Sequence, residues 1–102
     1  MSKLKHQIRI KIRQRAKNRC EICGRHGTKH NILTTHHIKP RAFGGENKED
    51  NLMCVCEECH REIHNYINTQ LHKHRKPDMS LFKEAINYVK IKKNEFSKWK
   101  VD

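Results

Sequence analysis

The sequence predicts a small α+β domain: a metal-stapled β-hairpin and helix, with a further helix at each end. Three observations predict it. Two Cys-x-x-Cys pairs stand at Cys20/Cys23 and Cys56/Cys59. Two short β-branched or apolar runs flank a loop around Gly44-Gly45. Apolar residues recur at helical spacing in the segments on either side.

Length and composition set the frame. The chain has 102 residues, of which 34% are hydrophobic and 33% charged. One domain is expected, and a core this thin calls for a staple. Of five cysteines, four lie in the two pairs, the usage of an intracellular metal site rather than of disulfides. Lys and Arg outnumber Asp and Glu by 23 to 11, for a net charge of +12. A polyanion is the expected partner, because each neutralised phosphate releases counterions. No segment approaches the roughly 20 apolar residues of a membrane span, so membrane is not expected as a partner. Met1 to Arg15 is basic and lacks the apolar centre of a secretory signal.

The elements follow in order. Ile8, Ile12 and Ala16 mark a helical face. Ile8, Ile10 and Ile12 also alternate as a strand would, but the surrounding Gln, Arg, Lys and Ala favour a helix. Cys20 to Gly24 reads as a knuckle. Ile32 to Ile38 is a strand candidate closed by Pro40. Residues 41–51 form a loop, and Leu52 to Val55 a second strand, so the two pair as a hairpin. From Cys59 to about His74 the composition is helical, with Ile63, Ile67 and Leu71 on one face, and Pro77 ends it. Asp78 or Ser80 can cap a last helix. Its stripe of Phe82, Ala85, Ile86, Val89, Phe96 and Trp99 can pack on its own domain or join two subunits as a homodimer.

Tetrahedral zinc takes four thiolates readily, and each Cys-x-x-Cys gap lets both sulfurs reach one ion. The spacing between the pairs exceeds the roughly 15–20 residues of a compact zinc ribbon and leaves room for a hairpin. A redox pair or unrelated thiols are the bland alternative. Cys54 reads as a small buried residue, and His26 and His30 as surface or nucleic-acid-facing histidines. Of nine histidines, His36 and His37 are adjacent at the end of the first strand. His60 and His64 share a helix face and can hold one metal ion. A metalloprotease needs Glu directly after the first histidine of such a pair; here Arg61 follows His60 and Glu62 comes one place late.

The run Thr35-His36-His37-Ile38-Lys39-Pro40, then Gly44-Gly45, Asp50-Asn51-Leu52, Cys56-Glu57-Glu58-Cys59-His60 and His64 resembles the HNH nucleases, the ββα-metal or His-Me finger family. The likeness covers about Cys20 to His64. It implies a structural Zn²⁺ on Cys20, Cys23, Cys56 and Cys59. It implies a catalytic divalent metal, Mg²⁺, Mn²⁺, Ni²⁺ or Zn²⁺, on His36, His60 and His64. His37 would be the general base, its unperturbed pKa of about 6.5 suiting it to take a proton from water. Asn51 would brace the hairpin loop and so orient the base. His36 takes a family position that is Asp in many members and His in the colicin-type DNases. Adjacent strand residues point to opposite faces, so His36 and His37 serve one site only if the strand bends or ends there. Arg61 or Arg41 can contact phosphate, or be solvated surface charges.

The resemblance implies a metal-dependent endonuclease that hydrolyses phosphodiester bonds of double-stranded DNA, in a cytoplasmic, bacterial or phage-encoded setting. No separate DNA-reading domain is visible, so low sequence specificity is expected. The expected organisation is a basic helical segment at 1–19, the nuclease domain at 20–74 and an amphipathic helix at 78–102. The alternative is a catalytically silent zinc module that only binds nucleic acid.

Overall fold

A computed structural model describes residues 6–99, with side chains described for residues 6–94. At its centre β1 (Leu33–His37) and β2 (Leu52–Cys56) pair antiparallel, with Leu33 opposite Cys56, Thr35 opposite Cys54 and His37 opposite Leu52. Helix α2 (Glu57–His72) leaves β2 without a linker. Helix α1 (His6–Arg15) precedes the hairpin and α3 (Met79–Trp99) follows. This is the small α+β class that the sequence predicts, a ββα unit flanked by a helix on each side.

Isoleucine spacing organises α1. Ile12 is buried, Ile8 and Ala16 pack beside it, and Ile10 is exposed. The alternating strand therefore does not form. The helix stops where Lys17 and Asn18 turn left-handed (φ 55° and 57°), and the Asn18 amide donates to the Arg13 carbonyl at 3.0 Å. The strands are slightly displaced from their sequence ranges: Ile32 is exposed and β2 runs on to Cys56. Helix α2 begins at Glu57, not Cys59. Cys56 is still extended, and Glu57 and Glu58 fill the first turn, where acids suit the helix dipole. It ends at His72 rather than His74, whose φ of 65° is incompatible with a right-handed helix. The 41–51 loop contains two short 3₁₀ turns, Arg41–Phe43 and Glu49–Asn51.

Asp78 caps α3, its Oδ1 accepting the Leu81 amide at 3.0 Å. Leu81, Phe82, Ala85, Ile86 and Val89 are buried in the core shared with Ile63 and Ile67 of α2. Lys93 clamps the two helices by pairing with Glu58 and, at 2.7 Å, with Glu62. The described part of the α3 stripe is thus packed on its own chain. The side chains of Phe96 and Trp99, and residues 1–5 of the basic segment, lie outside the described ones.

The two knuckles meet at the edge of this core. The sulfurs of Cys20, Cys23, Cys56 and Cys59 all lie within 4.8 Å of one another, and Cys23 Sγ stands 3.8 Å from Cys56 Sγ. Zinc–sulfur bonds of about 2.3 Å in a tetrahedron place sulfurs about 3.8 Å apart, so the donor set fits zinc. Its electrostatics agree. Hydrogen bonds from the Cys59 thiol and from backbone amides draw the Cys20 thiol well below its usual pKa. Cys59 is pushed up by the Cys20 sulfur and by burial, and Cys23 by burial. One thiolate makes the next harder to form, and a bound cation would offset that repulsion.

Glu21, inside the first knuckle, fastens that knuckle to β2 and α1. Its amide donates to the Cys54 carbonyl at 2.7 Å, and its Oε1 accepts the Cys54 amide at 2.8 Å. Arg15 grips the same carboxylate with two bonds, 2.7 and 3.1 Å, and also donates to the Leu52 and Glu49 carbonyls.

Structural zinc contributes on the order of 10 kcal/mol or more, comparable with the whole stability of a small domain. Strong chelators, or Cys59→Ser, are therefore expected to abolish helical circular dichroism and its cooperative melt, with Zn²⁺ restoring both after chelation. A cooperative melt that persists in chelator overturns this. Glu21→Gln leaves the sulfurs in place but weakens charged hydrogen bonds, so urea denaturation of the zinc-loaded protein should show a loss of about 2 kcal/mol.

Candidate metal centre and active site

Strand β1 and helix α2 bring three histidines together. His36, near the end of β1, is almost fully buried beneath α2, and its Nε2 has no hydrogen-bond partner among the described residues. His60 and His64 project from the first two turns of α2. One ring nitrogen from each of the three lies within 4.8 Å of the others, and the Nε2 atoms of His60 and His64 are 3.0 Å apart. The rings meet edge to face, with centroids 4.6 to 5.6 Å apart. A buried nitrogen without a partner costs about 1–3 kcal/mol. The cost is accounted for if a ligand accepts that lone pair.

Each ring is held neutral. Burial pushes His36 down to about 3, helped by the nearby His60, His64 and His37. Burial and His64 lower His60, and burial lowers His64. Neutral imidazole is the form that binds a cation. Thr34 adds an outer partner. Its hydroxyl donates to the Val55 carbonyl at 3.2 Å, and its oxygen lies 3.5 Å from His60 Nδ1. That arrangement favours the Nδ1–H tautomer of His60 and leaves Nε2 as the lone-pair donor.

His37 leaves the strand on the other face. It is not one of the three converging rings, yet it lies near enough to disfavour charge on His36 and His60. Its Nε2 is 2.8 Å from Asn47 Oδ1. With the amide oxygen as acceptor, Nε2 carries the proton and Nδ1 carries the lone pair. Asn47 was not singled out by the sequence. Its only signal is its place two residues after the Gly-Gly step, in the loop between the two strands.

Asn51 closes that loop. Its Oδ1 accepts the Lys39 amide at 2.9 Å, and its Nδ2 donates to the Glu46 and Lys39 carbonyls at 2.9 and 3.2 Å. Its own carbonyl accepts the Ile38 amide at 2.8 Å. The closure is tight enough to require glycine: a Cβ on Gly45 would stand 1.7 Å from the Lys39 carbonyl oxygen, and Gly44 has φ +89°.

The other candidates separate cleanly. Arg61 is exposed beside His60, and Arg41 is exposed on the first 3₁₀ turn. His26 and His30 are exposed beyond the first knuckle. Glu62 pairs with Lys92 and Lys93 on the α3 side. Cys54 is buried opposite Thr35, outside the four-sulfur cluster, with its thiol pushed up to about 11 by burial. Among the described residues no helix is long and apolar enough to cross a membrane.

Known proteins share this pattern. Residues 20–66 match the family model for HNH endonucleases. The chain is 34% identical over 62 residues to the type IV methyl-directed restriction enzyme EcoKMcrA of Escherichia coli, a match covering 56% of this chain and 22% of that enzyme. It is 38% identical over 53 residues to the uncharacterized protein YisB of Bacillus subtilis, covering 51% of this chain and 48% of that protein. The chain thus spans less than half the length of either relative. The likeness to HNH endonucleases therefore lies in residues 20–66, the stretch that carries both the four-sulfur cluster and the three converging histidines.

Proposed function

We propose that this chain is a metal-dependent endonuclease that hydrolyses phosphodiester bonds in DNA with low sequence specificity. The observation that carries the reading is the convergence of three neutral imidazoles, one with an orphaned buried nitrogen, beside a fourth, His37, whose Nε2 is held by Asn47. The net charge of +12 suits a polyanionic substrate.

His36, His60 and His64 would hold the catalytic cation. Three imidazoles suit zinc, nickel, manganese or cobalt better than magnesium, which prefers oxygen ligands. When bound there, a divalent cation supplies Lewis-acid stabilisation of charge building on the phosphate and the departing oxygen. His37 takes a proton from water through Nδ1. The water oxygen attacks phosphorus in line, the bond to the 3′ oxygen breaks, and that oxygen takes a proton from solvent, leaving 5′-phosphate and 3′-hydroxyl ends. Asn47 holds the opposite ring nitrogen, so the basic atom is aimed and in the correct tautomer. Asn51 acts one step further out. By closing the loop that carries Asn47 it fixes where that amide can sit. The same residues, without turnover, would leave a zinc module that only binds nucleic acid.

The deciding assay is cleavage of supercoiled plasmid by wild type and His37→Ala, in EDTA and then with Mg²⁺, Mn²⁺, Ni²⁺ or Zn²⁺ restored. Wild type is expected to cut with metal, and His37→Ala to lose about 10²–10⁴-fold while keeping its melt. DNA binding without cutting in any metal would replace the nuclease with the binding module. Low specificity predicts a ladder from several unrelated DNAs, and a single discrete cut site would refute it. Asn47→Ala should lower kcat by at least about tenfold with little change in KM. An unchanged kcat would remove Asn47 from the machinery.

A further inference from the structure

On the β1 side, α1 and the hairpin enclose a cavity of about 330 Å³ lined by Arg9, Arg13, Leu33, Thr34, Thr35 and Cys54. Arg9 and Arg13 are one helical turn apart, so their side chains reach it from the same face of α1. No carboxylate lines the cavity, and neither guanidinium pairs with one among the described residues. Arg9 has no hydrogen-bond partner there. Arg13 has one long bond, 3.4 Å, to the Leu33 carbonyl. Their neighbours on the helix differ. Lys11 pairs with Glu49 at 3.7 Å, and Arg15 is fully engaged with Glu21. Helix α1 therefore carries cations that hold the fold together and two that face a cavity with no counter-charge.

We infer that this cavity is a seat for a backbone phosphate of the nucleic acid, next to the one at the histidine cluster. Two guanidinium forks suit phosphate oxygens in a way that point charges do not, and threonine groups add polar wall. The position supports a nucleic acid over a free anion. Thr34 lines the cavity and also lies 3.5 Å from His60 Nδ1, so a single side chain separates it from the histidines. A strand lying across that cluster runs on toward the arginines. The inference rests on the nucleic-acid reading above and extends it from the cutting site to how the strand is held.

The test measures binding of a fluorescent DNA duplex by anisotropy, from about 50 to 200 mM salt, in the non-cutting His37→Ala background. Arg9→Gln and the Arg9→Gln/Arg13→Gln pair are compared with Lys73→Gln/Lys76→Gln, exposed cations at the turn after α2. Loss of one phosphate contact lowers the slope of log affinity against log salt by about 1. The paired arginine variant should show that change and at least a tenfold loss of affinity at the low-salt end, and the lysine pair should not. Arg9→Gln removes no internal contact, so it keeps the test valid if the pair destabilises the protein; it should show part of the same change. Arginine variants that track the lysine pair overturn the inference. Hydrolysis of bis(p-nitrophenyl) phosphate in the His37 background reads the chemistry separately, because that small diester does not span both places. It should be unchanged by the arginine pair, and an equal loss there would overturn the assignment. Absent plasmid cleavage by wild type with every metal, together with the altered slope, would reject the nuclease and leave the phosphate seat standing.

Discussion

Everything in this molecule is arranged around the meeting of four sulfurs. They come from two places far apart in the chain, and the second pair straddles the junction between β2 and α2. Holding Cys56 and Cys59 on one centre fixes the angle at which the helix leaves the strand. His60 directly follows Cys59, so that closure helps to place it on α2. The opposite wall is set by strand register: Leu33 opposite Cys56 brings β1 alongside, and three residues later His36 turns in under α2. A chain with 34% hydrophobic residues has few other ways to impose such precision.

The connection between the strands solves a different problem. Residues 38–51 have little apolar material to bury, so their shape is held by hydrogen bonds to the Asn51 side chain and by the contact that only glycine permits at Gly45. The loop in turn presents Asn47 to His37. One histidine of the adjacent pair is thus governed by packing beneath a helix, the other by a polar loop. Neighbours in sequence can have unrelated environments because a strand alternates its faces, and β1 ends at this point.

Much of this was legible before any coordinates. Cysteine pairs, a His-x-x-x-His step and an isoleucine stripe are short-range patterns whose spacing carries its own geometry. The hairpin and three helices follow from them, and the sulfur cluster contains the four cysteines that the spacing selects. What escaped depends on tertiary approach. Nothing in the sequence marks Glu21, and only the folded chain puts its carboxylate between Arg15 and the Cys54 amide. Asn47 was one polar loop residue among several. The start of α2 at Glu57 was hidden because Cys56 and Cys59 invite reading the knuckle as a turn before the helix. Arg9 and Arg13 could not be told from Lys11 and Arg15, since the difference lies in which acid each one meets.

The direct succession of Cys59 and His60 links the occupancies of two sites with different donor chemistry. The histidine triad is a cluster of the folded chain, and the sulfur centre is the staple on which folding is expected to depend. An ion at the sulfurs would therefore raise the affinity of the imidazoles, and by reciprocity a ligand at the imidazoles would strengthen retention at the sulfurs. Such heterotropic coupling imposes an order on assembly. The softer thiolate site would be filled first, and the nitrogen site would be a product of that event. The chain holds no finished imidazole cluster while it is still unfolded.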